Sequence, residues 1–349
     1  MKNYLIVAAI VLVAAVALIF YQYNTANTQT TKLTGLEIAK MSYGFFGKMR
    51  MEDGRYSYRE FCTGEGNEKK CEILPHSYTP TNAWVMLADL GLYEATNEQK
   101  YLDSAKNEMS VLLDNCKDNA GCLWTLVQMA RLYKNTNDSA YLENIRNFAD
   151  MLLENESQEG VMMNGIEARQ FAAVYSLTGE QKYLAESLNR LQKAENSMDS
   201  ERLLYTVNGL EVRDFVCSAE LARLELYRAT KNQKYLDAVK SFFDVADISS
   251  HGKELWHQTA IEPCIENLIL LYTETGDVKY WNQAYNLTQY MITYRWDSPL
   301  QQAEKYNGDG AFLFETYLYN NTKTVTDTGY AVYLLSTMKD TEFQIVDWR

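Results

Sequence analysis

Proline occurs only four times in 349 residues and histidine three times. So few prolines leave room for long helices, because an interior proline removes a hydrogen bond and clashes with the preceding turn. Basic residues are outnumbered, 33 Lys and Arg against 46 Asp and Glu, and no Lys/Arg cluster stands out. A net charge of −13 argues against a nucleic-acid partner, which requires a basic surface. There is no glycine-rich phosphate loop, dinucleotide fingerprint, His-Glu-x-x-His helix or Gly-x-Ser-x-Gly elbow. Nucleotide, nicotinamide and serine-hydrolase chemistry therefore lack support, and no cofactor or metal is expected. No low-complexity block follows the first few dozen positions, and 47% of the residues are hydrophobic, so the chain folds around a core.

What is present begins with "YLIVAAIVLVAAVALIFY", residues 4–21, which carries no charge. As a helix it would be about 27 Å long, close to a bilayer core. Lys2 precedes it, and no convincing cleavage site follows Phe20. The expectation is a short cytoplasmic tail at 1–3, an uncleaved transmembrane signal anchor at 4–21, a polar linker at 22–31 and an extracytoplasmic domain at 32–349.

Cysteine usage agrees. Cys62 and Cys71 bracket "TGEGNEKK", and Cys116 and Cys122 bracket "KDNAG". Close pairs across polar loops suit disulfides, which form in oxidising compartments. Sequons at Asn137, Asn155, Asn286 and Asn320 permit glycosylation.

The dominant signal is a repeat. "LGLYEATNEQKYLDSAKNEMSVLL" at 90–113 is echoed by "ARLYKNTNDSAYLENIRNFADMLL" at 130–153 and "LELYRATKNQKYLDAVKSFF" at 224–243. Tyrosines fall at 93, 133, 175, 227 and 272, and a second tyrosine follows each eight residues later, at 101, 141, 183, 235 and 280. A degenerate sixth copy runs from Leu335 to Phe343. Fixed internal spacing with variable intervals marks a helical-hairpin repeat. The helix before each turn is apolar nearly all round, as in "IENLILLY". The helix after it is amphipathic, with Tyr101, Ala105, Met109 and Leu112 on one stripe. That contrast predicts an inner and an outer layer. Only "QIVDWR" follows Phe343, so the sixth hairpin lacks its second helix, whereas residues 33–49 form an amphipathic helix without a partner. Pairing the two predicts an all-α (α/α)6 toroid of six hairpins, closed by its N-terminal outer and C-terminal inner helices.

The six-copy phrase resembles the six-hairpin glycosidase-like superfamily, which includes unsaturated glucuronyl hydrolases, N-acylglucosamine 2-epimerases and some polysaccharide lyases. The likeness spans the chain after the anchor, but no family's catalytic motif is matched. It implies a site at the N-termini of the inner helices, where the long connections gather and free N–H groups point toward the cavity.

Carboxylates collect at that rim. Glu167 and Arg169 begin the third inner helix, and Glu211 and Asp214 precede the fourth. Glu262 opens the fifth and Asp327 the sixth, with Asp309 and Glu315 in the insertion before it. Glycoside chemistry needs one protonated and one ionised carboxyl group. The candidate catalytic set is Asp214, Glu262, His257 and Asp327, set against helix capping as the ordinary use of such acids. Trp84 and Trp124 hold equivalent rim positions and Trp256 adjoins His257; they either stack on sugar rings or fill space between helices. Arg213 could pair with a uronate carboxylate, while His76, Tyr78 and Tyr330 are further proton-transfer candidates. Glu167, Arg169 and Tyr330 complete the expected substrate-binding set. Cys217 and Cys264 begin adjacent inner helices. A third disulfide, two buried thiols, or a zinc site like that of the lanthionine-type cyclases that share the fold all remain open. The Cys-His pair of those cyclases is absent, since Ile265 follows Cys264. Two functions compete: a membrane-anchored enzyme that hydrolyses, eliminates or epimerises glycan, and a non-catalytic toroid that binds glycan or protein.

Overall fold

The repeated phrase is a capping device. At each of five turns the residue after the threonine adopts the left-handed conformation, with φ between 53° and 70° at Asn97, Asn137, Gly179, Lys231 and Gly276. Its N–H donates to the carbonyl of Tyr93, Tyr133, Tyr175, Tyr227 or Tyr272 at 2.7–2.8 Å and stops the helix there. The threonine hydroxyl (Thr96, Thr136, Thr178, Thr230, Thr275) donates to the carbonyl four residues back. The same oxygen accepts the N–H of the residue that immediately precedes the next helix. Asp138, Asn232 and Asp277 then cap that helix with their side chains. In four copies a lysine nitrogen lies 4.7–4.8 Å from the centroid of the tyrosine ring that follows it, as Lys182 does over Tyr183. Every part of the phrase has a role in the reversal.

The computed structural model describes residues 30–63, 70–77, 81–115, 125–154, 160–200, 203–213, 215–250, 258–299, 310–313 and 322–346. Helix α1 is Gly35–Met49. Five hairpins follow: α2 (Thr81–Thr96) with α3 (Gln99–Asn115), α4 (Leu126–Thr136) with α5 (Ser139–Leu153), α6 (Val161–Thr178) with α7 (Gln181–Ser197), α8 (Val216–Thr230) with α9 (Gln233–Ala246), and α10 (Gln258–Thr275) with α11 (Val278–Arg295). Helix α12 (Val325–Thr337) stands last. The even-numbered helices touch one another in sequence, and α12 returns to α2, so they form a ring. Each odd-numbered helix packs outside its hairpin partner, and α1 packs on α12. The fold is a toroid with two helical layers.

Closure is built from both chain ends. Strand β1 (Thr30–Thr34) pairs antiparallel with β7 (Glu342–Val346), from Thr30 opposite Val346 to Thr34 opposite Glu342. Thr34 and Glu37 form a reciprocal capping box at the start of α1. Gly35 lies against α12 so closely that a Cβ there would stand 2.5 Å from the Leu335 and Met338 carbonyl oxygens. Ile38, Phe45, Phe46 and Met49 bury the inner face of α1. Phe343 occupies the place of the outer-helix tyrosine, fully buried and stacked on Tyr285 at 5.3 Å. The sixth turn closes on the carbonyl of Leu334 rather than Leu335, through the Met338 N–H at 3.1 Å, and β7 stands where a second helix would begin.

The fold is dominated by helices, as expected, and the connections add short strands that the sequence reading did not include. β2 (Ser57–Thr63) and β3 (Lys70–Ser77) form a hairpin extended by β6 (Thr322–Thr324), and β4 (Leu203–Val207) pairs with β5 (Leu210–Arg213). Long connections without secondary structure would leave backbone groups unsatisfied over the ring. Residues 4–21 lie outside the described residues, among which no helix is long and apolar enough to cross a membrane.

Between α1, α2 and α3 two carboxyl groups are buried. Tyr43 donates to Asp89, while Tyr56 donates to Glu108 at 2.9 Å and Asn82 donates to the same carboxyl group. Burial pushes the Asp89 carboxyl up to about 8, against hydrogen bonds from Tyr43 and Ser104 that favour its charged form. The folded state thus holds a proton that the unfolded chain releases near pH 4. Its stabilising contribution is complete below that value and is lost as pH rises through about 8. Asp89→Asn should therefore gain stability over the parent chain in thermal melts at pH 8, with the gap shrinking at pH 5; a pH-independent gap would contradict this account. Phe45→Ala, at 1% exposure on the closing helix, should cost about 3–5 kcal/mol in urea unfolding.

Candidate functional site

The N-terminal halves of all six inner helices converge on one cavity of about 490 Å³. Trp84 comes from α2, Gln128 and Arg131 from α4, Arg169 and Gln170 from α6, Ser218 from α8, Glu262 and Glu266 from α10, and Thr326 and Tyr330 from α12. Strand β2 adds Tyr58 and Arg59. Convergence follows from the topology, since every hairpin turn lies at the opposite end of the ring. The Gln170 carbonyl oxygen accepts the Val127 N–H at 2.7 Å, so a side chain of one inner helix caps its neighbour. At Gly329 a Cβ would stand 2.6 Å from the Trp84 carbonyl oxygen, so α12 approaches α2 backbone to backbone beside the cavity.

Glu266 is the most constrained acid in the cavity. Arg169 grips it through two hydrogen bonds of 2.9 and 2.5 Å, Tyr330 donates to one oxygen, and Tyr333 donates to the other at 3.3 Å. Burial alone would raise its carboxyl, but Arg169 and Tyr330 outweigh burial and hold it below the usual range. Glu266 is therefore an ionised anchor. Burial conversely drives the Tyr330 hydroxyl well up, helped by the Glu266 charge. Arg131 is held in the same way by Glu94, with its guanidinium 4.5 Å from the Tyr333 ring centroid.

The charges of Glu262 and Asp327 both act on a third arginine. Arg295, at the end of α11, is fully buried, and burial lowers it while the charges of Asp327 and Glu262 support its ionised form. Glu262 is 1% exposed on the cavity wall. Asp327 is fully buried beside the cavity residue Thr326, where burial pushes its carboxyl up to about 6 despite the Thr324 hydroxyl and Arg295. Its Oδ1 has no hydrogen-bond partner among the described residues. Asp327 thus keeps its proton well above the ordinary aspartate range, as the acid half of acid–base work requires.

The other expected residues divide clearly. Trp84, Arg169 and Tyr330 line the cavity, and the Trp84 and Tyr330 rings lie 5.1 Å apart. Glu167 does not line it: two residues from Arg169 it points the opposite way and pairs with buried Arg190 of α7 at 2.5 Å. Arg213 also lies outside the lining and pairs with Glu211. Asp214, His251, Trp256, His257, Tyr78, Trp124, Asp309, Glu315, Cys116 and Cys122 fall outside the described residues, and so does the side chain of His76. Glu266 could have been found from its place four residues after Glu262, which puts both on one face of α10. Arg295 and Arg59 carried no such signal, because an outer-helix end and a connecting strand bring them in.

Two disulfides are present among the described residues. Cys62–Cys71 ties β2 to β3 where the two residues face each other across the ladder. Cys217–Cys264 settles the open alternatives for that pair: it joins inner helices α8 and α10, and both residues are buried. Their neighbours Ser218 and Pro263 line the cavity. Asn267 reinforces the joint by donating to the carbonyls of Cys217 at 2.7 Å and Pro263 at 2.9 Å.

No protein-family model matches the sequence, and neither does any curated protein. Solved structures do share the fold. A Listeria innocua protein superposes with a TM-score of 0.63 at 15% identity, covering 87% of this chain and 97% of the other. An inactive variant of an alpha-1,6-mannanase from Salegentibacter sp. HEL1_6, with two adjacent aspartates replaced and alpha-1,6-mannotetrose bound, gives 0.61 at 13%, covering 88% and 99%. An unsaturated glucuronyl hydrolase specific for heparin gives 0.58 at 12%, covering 87% and 96%. The resemblance to six-hairpin toroids holds at the level of architecture.

The Cys217–Cys264 bridge closes a loop with a sequence separation of 47. Replacing both cysteines with serine should destabilise the chain by roughly 4 kcal/mol in the chain-entropy model, read as a lower urea midpoint. An unchanged midpoint would show that the bridge does not constrain the unfolded chain.

Proposed function

We propose that this chain is a carbohydrate-active enzyme, a glycoside hydrolase, lyase or epimerase, anchored to a membrane by residues 4–21 with its toroid outside the cytoplasm. The observation that carries the enzymatic reading is the pair Glu262, on the cavity wall, and Asp327, buried beside the cavity residue Thr326, whose charges both act on buried Arg295. Asp327, protonated up to about pH 6, has the state required to assist a leaving oxygen. Glu262, on the cavity wall and within reach of the Arg295 charge, is the second carboxyl group, the one that would take a proton or stabilise an oxocarbenium-like centre. Trp84, Tyr58 and Tyr330 provide apolar faces for a sugar ring. Solved toroids with the same fold act on glycans by name, as the mannanase and the glucuronyl hydrolase do. Two disulfides favour an oxidising compartment. Asn137 at the tip of a turn and Asn286 on an outer helix are exposed sequons that fit the same location.

One observation favours a second reading, a glycan-binding toroid without catalysis. The mannanase is inactive when two adjacent aspartates are replaced, and no two aspartates are adjacent in this sequence. Glu266, moreover, is fully engaged by Arg169 and Tyr330.

A panel of oligosaccharides, scored for turnover by chromatography and for binding by calorimetry, separates the two. Glu262→Gln should reduce turnover by about a thousandfold or more while binding persists, because the loss falls on the chemical step. Trp84→Ala should weaken binding. Binding without turnover in the parent chain would establish the non-catalytic reading.

A further inference from the structure

The cavity has three arginines, and two of them are neutralised by carboxylates. Arg131 faces Glu94, and Arg169 faces Glu266. Arg59 differs. It makes no ion pair among the described residues, and its guanidinium lies 4.7 Å from the centroid of the neighbouring Tyr58 ring. It is exposed, yet its backbone is fixed on both sides, because β2 is the central strand of its sheet and Arg59 stands opposite both Leu74 and Thr324. Asp327 feels its charge, but through the field rather than by contact. Deeper in the same cavity are two buried polar groups, the Ser218 hydroxyl at 3% exposure and the Gln128 carbonyl oxygen at 4%. Neither has a hydrogen-bond partner among the described residues. A donor–acceptor and an acceptor left unused at the wall of a cavity suit the hydroxyls of a saccharide.

We infer that the cavity selects saccharides bearing an anionic group, a carboxylate or a sulfate, through Arg59. The inference rests on the reading of the cavity as a glycan site and adds the charge of the ligand. A neutral sugar seated against Arg59 would strip water from the guanidinium and return no charge, which is unfavourable. An oxyanion would take two N–H bonds from the guanidinium fork. The six helix N-termini around the cavity add positive potential of the same sign. Arg213, the residue the sequence suggested for this task, is engaged by Glu211 and does not line the cavity.

The test uses the full-length chain and calorimetry against three probes of equal length: a neutral manno-oligosaccharide, an oligogalacturonate, and a sulfated oligosaccharide. Acidic probes should bind on the order of tenfold tighter than the neutral one at low salt, a preference that shrinks as ionic strength rises. Comparing the uronate and sulfate arms identifies which oxyanion is read. Arg59→Gln should erase the preference without changing the melting temperature, and Arg59→Lys should keep part of it. Neutral binding as tight as acidic binding, or a preference that survives Arg59→Gln, would overturn the inference and leave the glycan site standing. Failure of all three probes to bind would remove the glycan site as well.

Discussion

The structure depends on the two ends of one chain meeting. A six-hairpin repeat has no intrinsic reason to close, because each hairpin needs only its neighbours. Closure requires the last inner helix to find an outer cover, and that cover lies almost 300 residues earlier. The solution combines several weak interactions: a capping box at Thr34, a strand pair between β1 and β7, and the contact of Gly35 with the end of α12. Each is modest alone. Together they cover the apolar surface of α12, and without that cover the ring would have an unpaired edge.

Closure decides where chemistry can occur. Once six inner helices stand parallel, their N-termini and the long connections share one face and their hairpin turns the other. Charge in the interior is then arranged in pairs. Arg131 with Glu94 is a partly exposed, hydrogen-bonded pair that ties α4 to α2, and the more buried Arg169 with Glu266 ties α6 to α10, so the value of the second lies less in net stability than in holding these inner helices in register. The Cys217–Cys264 bridge does the same covalently between α8 and α10. Within this rigid frame the buried carboxyl of Asp327 is pushed up to about 6, and strongly perturbed groups of this kind gather at functional sites.

Much of this was legible in the sequence, for reasons that are now specific. The turn phrase could be read because each of its residues has a local role: threonine to bond backward, a left-handed residue to stop the helix, a cap to restart it. The missing twelfth partner could be inferred from the orphan helix at residues 33–49 because helix amphipathicity is also local. The site was less legible. Trp84, Arg169, Glu262, Asp327 and Tyr330 could be placed near the rim by counting along inner helices. Glu167 shows the limit of counting, since a difference of two residues turned it to the other side of α6, toward Arg190. Arg59 and Arg295 could not be placed at all, because their positions depend on a sheet in a connection and on the packing of an outer helix. Among the strands of the connections only β6 depends on the ring in this way, since β2–β3 and β4–β5 are hairpins of consecutive strands whose local pattern went unread.

The position of β1 fixes how the molecule would sit on a tether. The chain enters α1 from β1, and an outer helix begins at the face that carries the short turns. The cavity opens at the opposite face, among the inner-helix N-termini. A toroid held at a surface through its first residues would therefore turn its blunt, turn-bearing side toward that surface and its mouth away from it.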